Sequence, residues 1–143
     1  MNKILSITAC GAILSGCAGT PPSHIGVHEG RLTPCPDKPN CVLSQEADPE
    51  HHIDPITYSG TQKEAFERLK TLIRSMERNR IVEETENYLR VECTTKWLGF
   101  VDDLEFYFPA EPIIHVRSAS RLGYSDLGVN RKRVEQIRKQ FSQ

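Results

Sequence analysis

The sequence lacks the short motifs by which metal- and cofactor-dependent enzymes are usually recognised. Its 143 residues contain no phosphate-binding loop, no dinucleotide fingerprint and no metalloprotease helix. Neither a Cys-x-x-Cys pair nor a Gly-x-Ser-x-Gly nucleophile motif is present. We therefore expect no cofactor and no bound metal. The formal net charge of −1 gives no indication of a nucleic-acid partner.

Long apolar runs are also scarce. The run from Ile4 to Leu14 is too short to span a bilayer as a helix, which needs roughly 20 apolar residues. No second long apolar segment follows it. With Lys3 before it and small residues after it, the run is typical of a secretory signal peptide. We predict that residues 1–16 form this signal and are removed.

The end of this signal has a more specific pattern. Leu14-Ser15-Gly16-Cys17 resembles the bacterial lipobox, whose cysteine is lipidated and becomes the first residue of the mature protein. The alternative is an ordinary signal peptide with a chance cysteine. Two or more acyl chains, such as palmitate, anchor a protein stably without spanning the bilayer. We predict lipidation at Cys17. Ala18 stands where an aspartate would signal inner-membrane retention, which favours the outer membrane and a domain facing the periplasm.

The remaining chain divides into a short tether and one domain. Residues 17–30 contain small residues, two prolines and few side chains to bury, so we expect a lipidated tether there. Residues 31–143 have the usual size of a single domain. No internal repeat or second boundary is visible.

Cysteine usage agrees with export. In "CPDKPNC", Cys35 and Cys41 flank a proline-rich loop, and in an oxidising compartment we expect a disulfide between them. A zinc site is the alternative, with ligands from the histidines His24, His28, His51 and His52. Cys93 falls in a strand pattern and is expected to be a small buried hydrophobe.

The pattern of apolar residues predicts an α+β fold. In residues 59–79, Thr61 and Glu64 form a helix capping box, and Ala65, Leu69 and Ile73 fall on one helical face. Residues 80–121 alternate apolar and polar side chains, as in half-buried antiparallel strands. A second helix follows at the C-terminus. We expect a single antiparallel sheet of about five strands, with two helices packed on one face.

Strand parity gives the outward side chains. If Leu104, Phe106 and Phe108 face the core, then Asp103 and Glu105 face outward, as do Arg117 and Arg121 on the returning strand. This pattern predicts a solvated face with cross-strand ion pairs, such as Glu105 with Arg117. A polar floor that binds an anion is the functional alternative. The same parity points Asp102 away from Asp103, which argues against a catalytic pair of carboxylates.

The segment "RSASRLGYSDLGVNRKRVEQIRKQ", residues 117–140, is the densest in charged and polar groups. Asp126 and Asn130 are both of the residue types that cap helices. Asn130 stands directly before the cationic run, so we expect the first turn of the last helix to contain Arg131, Lys132 and Arg133. Cations are disfavoured at a helix start, so Asp102, Asp103 and Asp126 or an external anion must compensate them. Ser118 and Ser120 are the alternative candidates for a nucleophile, although no local base accompanies them.

Charge is unevenly distributed along the chain. Residues 17–60 contain an excess of carboxylates, and residues 117–143 contain an excess of cations. Either the two ends pack together, or the basic end meets a phosphate-bearing partner such as lipid head groups. We favour packing of the two ends.

Three motifs resemble one bacterial family, catalogued as domain of unknown function 1499. They are "TPCPDKPNCVLSQ", "GFVDDLEFYF" and "IHVRSASRLGYSDLGVNRKRVEQIR". The resemblance runs from about Leu32 to the C-terminus and implies an envelope-associated protein, but no activity. The family signature maps onto Cys35, Asn40, Cys41, Asp102, Asp103, Arg117, Ser118, Ser120, Arg121, Gly123, Asp126, Gly128, Asn130 and Arg131.

These observations favour an envelope lipoprotein that is not an enzyme. We expect a binding or assembly module for an anionic or lipid-like ligand or an envelope protein. The candidate polar cluster is Asp102, Asp103, Arg117, Ser118, Ser120, Arg121, Asp126, Asn130 and Arg131. An envelope hydrolase that uses Ser118 or Ser120 is the alternative.

Overall fold

The computed structural model describes residues 18–143, so the predicted signal peptide and the lipidation at Cys17 lie outside the described residues. The elements are β1 (Val27–His28), β2 (Arg31–Leu32), β3 (Cys41–Leu43), β4 (Ile56–Thr57), α1 (Gln62–Ser75), β5 (Asn79–Glu84), β6 (Tyr88–Thr94), β7 (Val101–Tyr107), β8 (Ile113–Ser120) and α2 (Val129–Phe141). None of the helices described is long and apolar enough to cross a membrane.

The fold is α+β, with two helices and a mostly antiparallel main sheet. The main sheet has six strands in the order β3-β8-β7-β6-β5, and β4 also pairs with β8. A separate two-stranded sheet is formed by β1 and β2. The expectation of a single sheet of about five strands is therefore wrong. The added strands, β1 to β3, are two or three residues long, which is too short for alternation to reveal them.

Helix α1 forms as the capping pattern predicts. The Thr61 hydroxyl accepts the Glu64 backbone N–H (3.2 Å), and the Glu64 carboxylate accepts the Thr61 backbone N–H (2.9 Å). The helix buries Ala65, Leu69 and Ile73. These residues pack with inner-face side chains of the sheet and with α2 in one core. We call this side of the sheet the inner face.

The opposite side, the outer face, is covered by the N-terminal segment. Leu32, Leu43 and Tyr88 form a second apolar cluster there, and the backbone N–H of Gly26 donates to a carboxylate oxygen of Glu105 (2.9 Å). The expectation of a solvated outer face is therefore wrong. Parts of the segment that we expected to be a tether pack against the domain instead: Gly26 on the outer face, and Gly19 beside Arg121 and Leu122.

The expected disulfide is present between Cys35 and Cys41. The ring nitrogens of His51 and His52 contact backbone carbonyls, and no group of three or more metal-ligating side chains occurs between residues 18 and 143. Cys93 is buried in the inner core, and burial raises the pKa of its thiol to about 11. It is therefore a buried hydrophobe and not a reactive thiol.

Removing the disulfide should lower stability modestly. Loop-entropy reasoning for so small a ring gives about 2.4 kcal/mol for the double variant Cys35→Ala, Cys41→Ala. Urea unfolding of this variant against the wild type measures the difference. An unchanged unfolding midpoint would mean that the bridge does not constrain the unfolded chain.

Candidate functional site

Polar side chains meet on the inner face where β7 and β8 approach the start of α2. We call this group the inner polar cluster: Asp102, Ser118, Ser120, Asn130 and Arg133. Strand register brings Asp102 opposite Ser120, and helix α2 supplies the other side. Ser118 and Asn130 are both 0% exposed. Groups buried this deeply must find partners within the protein.

Asn130 is the centre of the inner polar cluster. Its side-chain oxygen accepts from the Ser118 hydroxyl (2.6 Å) and from the Arg133 guanidinium (2.6 Å). Its side-chain nitrogen donates to the Ser120 hydroxyl (3.0 Å) and to the backbone carbonyl of Asn40 (3.1 Å). One amide therefore joins α2, β8 and the residue that precedes β3.

Helix α2 does not begin as the sequence predicted. Its N-cap is Gly128, in the left-handed conformation with φ of 78°, and Asn130 lies inside the first turn. The capping group is Asp126, whose carboxylate accepts the backbone N–H of Asn130 (2.8 Å) and of Gly128 (2.9 Å). The positive end of the helix dipole stabilises the negative charge of a carboxylate at this position.

The cations at the start of α2 are compensated mainly inside the protein. Arg133 donates to the Asp102 carboxylate (2.6 Å). Arg131 donates to the backbone carbonyls of His52 (2.8 Å) and Glu50 (2.9 Å). The basic C-terminal end therefore packs against the acidic N-terminal end, as we favoured, although through carbonyl oxygens and not through carboxylates.

The outer face contains a second polar group around Glu105, which is 0% exposed. Arg117 lies directly opposite it and donates to one carboxylate oxygen (3.1 Å). The other oxygen accepts from the Tyr88 hydroxyl (2.9 Å) and from the Gly26 N–H (2.9 Å). The predicted cross-strand pair is therefore confirmed, but it is buried where the sequence predicted a solvated pair.

Burial is the largest influence on the pKa of the Glu105 carboxyl. It raises the pKa of the Glu105 carboxyl above its ordinary value, and the Arg117 charge and the hydrogen bonds from Tyr88 and Gly26 oppose the rise. The pKa of Tyr88 is also raised, first by burial and then by the neighbouring Glu105 charge. Neither group is open to a ligand, because the N-terminal segment covers both.

Arg121 closes the outer face at the end of β8. It donates to both oxygens of Asp103 (2.7 and 2.8 Å) and to Glu92 (2.7 Å). The hydrogen bond to Asp103 is the main cause of the raised pKa of Arg121, and the hydrogen bond from Arg121 is the main cause of the lowered pKa of Glu92. A bidentate arginine–carboxylate pair fixes geometry strongly, so this contact holds β8 against β6 and β7.

The hydroxyls of Ser118 and Ser120 are both held within the inner polar cluster. The Ser118 hydroxyl donates to Asn130 and accepts from Arg133 (3.1 Å), and the Ser120 hydroxyl accepts from Asn130. In the part of the chain that the structure describes, neither hydroxyl has a histidine or carboxylate within hydrogen-bonding distance. A nucleophilic serine requires such a base.

An open cavity with largely apolar walls adjoins the inner polar cluster. A cavity of 260 Å³ lies beside Asp102, Ser120 and Asp126, and its other walls are mostly apolar. We name the surrounding surface the apolar end: Trp97, Leu98, Phe100, Leu122, Tyr124, Leu127 and Val129. All of these are exposed.

The comparison with protein families matches one family model over residues 31–141, described as Protein of unknown function (DUF1499). The chain belongs to this family. No curated protein and no solved structure matches it. Membership in DUF1499 confirms the resemblance that the three motifs indicated, and it adds no activity.

Most polar residues that the motif resemblance assigned to the family signature lie in two polar groups and not in one site. Asp102, Ser118, Ser120, Asp126 and Asn130 meet on the inner face. The outer face contains Asp103, Arg117 and Arg121, which are separated from the first group by the sheet itself. Arg131 lies at the side of α2 against the backbone of residues 50–52.

Sequence reasoning missed Arg133, Glu92 and the apolar end. Arg133 was one of three adjacent cations, and the sequence did not indicate which one faced Asp102. A usable signal existed for the apolar end, since "WLGF" and "RLGYSDLG" place large apolar residues within glycine-containing turns, where polar residues are usual.

Substitutions at the buried pair should differ sharply from each other. Glu105→Gln leaves the Arg117 charge buried without a counter-ion, and arginine cannot lose its proton, so we expect a loss of about 3–5 kcal/mol. At low pH, Arg117→Met should destabilise the protein less than Glu105→Gln does, because Glu105 can accept a proton and become neutral. Chemical denaturation of both variants measures these losses.

The Arg117→Met variant also has an expected pH dependence. A carboxyl with a raised folded-state pKa binds its proton more tightly in the native state. Its contribution to the free energy of unfolding is therefore fully present below the unfolded-state pKa. That contribution is lost as pH rises through the folded-state pKa. The stability deficit relative to the wild type should therefore grow from acidic to neutral pH. A deficit independent of pH would contradict this account of Glu105.

Removing the central amide should loosen the C-terminal helix. Asn130→Ala removes the acceptor of the Ser118 hydroxyl and one hydrogen bond each from Arg133, Ser120 and the Asn40 carbonyl, at a cost of about 1–3 kcal/mol. Gln136→Ala, at an exposed position of α2, is the matched control and should change stability little. Equal effects of the two variants would show that the inner polar cluster contributes nothing specific.

Proposed function

We propose that the protein is a lipid-anchored cell-envelope protein whose domain works by binding and not by catalysis. The anchor is the lipidated Cys17, the favoured membrane is the outer one, and the domain faces the periplasm. The lipobox and Ala18 support this location, and the disulfide between Cys35 and Cys41 suits an oxidising compartment.

The contrast between the polar groups and the apolar end carries the binding proposal. The arginines of the candidate cluster, Arg117, Arg121 and Arg131, all donate to groups of the protein itself. The large exposed side chains of the apolar end are hydrophobic, and five of them line a cavity of 260 Å³: Leu98, Phe100, Leu122, Leu127 and Val129. Large exposed apolar patches indicate sites for partners or membranes. The ligand class that this surface suits is therefore lipid-like.

Two lysines at the border of the apolar end suit a ligand with an anionic group. Lys96 lies over the Trp97 ring, 5.1 Å from its centroid. Lys132 follows on α2, and a groove lined by both lysines borders the apolar end. An acyl chain beside an anionic head group would use both kinds of contact. No specific observation favours hydrolysis at Ser118 or Ser120, because both hydroxyls are bound to Asn130.

Lipid labelling tests the anchor. The full chain is produced in a two-membrane bacterium with labelled palmitate, as wild type and as Cys17→Ser. We expect label on the wild type and none on Cys17→Ser, because the thiol is the attachment point. Cys10→Ser is the matched control, since it changes a cysteine of the same signal but leaves the lipobox intact.

The control should be labelled like the wild type and recovered with the outer membrane on a density gradient. Label on the Cys17→Ser protein would contradict the proposal. Native mass spectrometry of the purified domain would identify a co-purifying lipid in the apolar cavity.

A further inference from the structure

Exposed large apolar residues are concentrated at one end of the sheet. Every such residue between 18 and 143 belongs to the apolar end. They lie in the β6–β7 loop (95–100), in the β8–α2 connection (121–128) and at Val129, the first residue of α2. Because β7 is antiparallel to both neighbours, these two connections lie at the same end. The strand order therefore brings these exposed apolar residues together at one end of the sheet.

The composition of this surface is that of a membrane interface. Trp97 is 86% exposed and Tyr124 is 69% exposed, and these two residue types prefer the head-group level of a bilayer. Lys96 and Lys132 at its border form no ion pair within the described residues. The carboxylates nearby are already bound, since Asp102 pairs with Arg133 and Asp126 caps α2.

One residue of the apolar end, Leu127, has a backbone conformation that leucine rarely adopts. Leu127 has φ of 55°, in the left-handed region that favours glycine, and is 85% exposed. A leucine gains nothing from this conformation in water. Strained positions of this kind are concentrated at functional surfaces, and a bilayer would bury the Leu127 side chain.

The start of the folded chain lies beside the same surface. A Cβ atom placed on Gly19 would be 3.0 Å from the Arg121 Cβ and 3.2 Å from Leu122. Cys17 is two residues earlier, and two residues span at most about 7 Å. Acyl chains attached to Cys17 would therefore enter a bilayer next to the apolar end.

We infer that the apolar end is a membrane-docking surface that lies in the head-group layer of the bilayer holding the anchor. Trp97, Leu98 and Leu127 insert among the lipids, and Lys96 and Lys132 meet anionic head groups. The inference rests on the proposed anchoring at Cys17 and gives the anchored domain one fixed orientation, with the loop between β7 and β8 pointing away from the membrane.

The test uses the chain from Cys17 to Gln143, which contains every described element. Its Cys17 thiol is coupled to maleimide-bearing lipid in vesicles of phosphatidylethanolamine and phosphatidylglycerol. The coupling is selective because Cys35 and Cys41 are bonded and Cys93 is buried. Trp97 is the only tryptophan. We expect its emission to shift to shorter wavelength and to be quenched by lipids with brominated acyl chains.

The matched control moves the probe to the opposite end. Trp97→Phe with Ala110→Trp places the tryptophan in the exposed β7–β8 loop, where we expect neither shift nor quenching. For the uncoupled chain, Leu98→Asp with Leu127→Asp should weaken vesicle binding by about tenfold or more, since two apolar side chains are lost. Ala110→Asp should have no such effect. Circular dichroism confirms that each variant is folded.

The lysines are tested with vesicles that differ only in charge. Lys96→Ala with Lys132→Ala should weaken binding to anionic vesicles more than Lys63→Ala, which removes a cation near the opposite end of the sheet. If Trp97 is not quenched in the coupled protein, or if a tryptophan at position 110 is quenched equally, the docking inference is wrong. The palmitate labelling at Cys17 is independent of this result, so the anchoring proposal would still stand. A dimer of the uncoupled chain that buries Trp97 without lipid would assign the surface to a second copy instead.

Discussion

Three carboxylates on strand β7 are buried, and the fold is organised around the arginine that each one requires. The pairs are Asp102–Arg133, Asp103–Arg121 and Glu105–Arg117. Buried ions without partners cost several kcal/mol each, about 3–5 by substitution. The first pair brings the start of α2 onto the inner face, and the second fixes the end of β8. The third is completed only when the N-terminal segment covers Glu105. Helix, strand end and N-terminal segment are thus placed by the charges of one strand.

This constraint explains why polar residues of the DUF1499 signature do not form an open site. Asn130 bonds to Ser118, Ser120 and Arg133 at once, so an amide holds together groups that resemble parts of a catalytic centre. These groups bond to one another within the protein, and networks of this kind specify one arrangement when every member is satisfied. The exposed large hydrophobic residues between 18 and 143 all lie at the apolar end. Anchoring at Cys17 and docking through the apolar end are two parts of one proposal, in which the membrane is both the location and the partner.

Local patterns in the sequence were sufficient for much of the fold. The capping box at Thr61 and the alternation in residues 80–121 predicted α1 and the strands that follow, because both depend on neighbouring residues. Strand parity also predicted that Asp102 and Asp103 diverge and that Glu105 meets Arg117. The coverage of the outer face was not predictable in this way. It depends on contacts such as Gly26 with Glu105, across 79 positions, from a segment without periodicity. The same holds for Arg133, whose partner is 31 positions away.

Hydrogen exchange measured with and without lipid vesicles tests most directly whether the polar groups are architecture and the apolar end is the working surface. The account predicts that amides of residues 95–100 and 121–128 exchange more slowly when vesicles are present. It also predicts slow exchange of β7, β8 and the start of α2 in both conditions, since their buried pairs do not open. Lipid-dependent protection around Arg131 or the β7–β8 loop, with unchanged exchange at the apolar end, would contradict it.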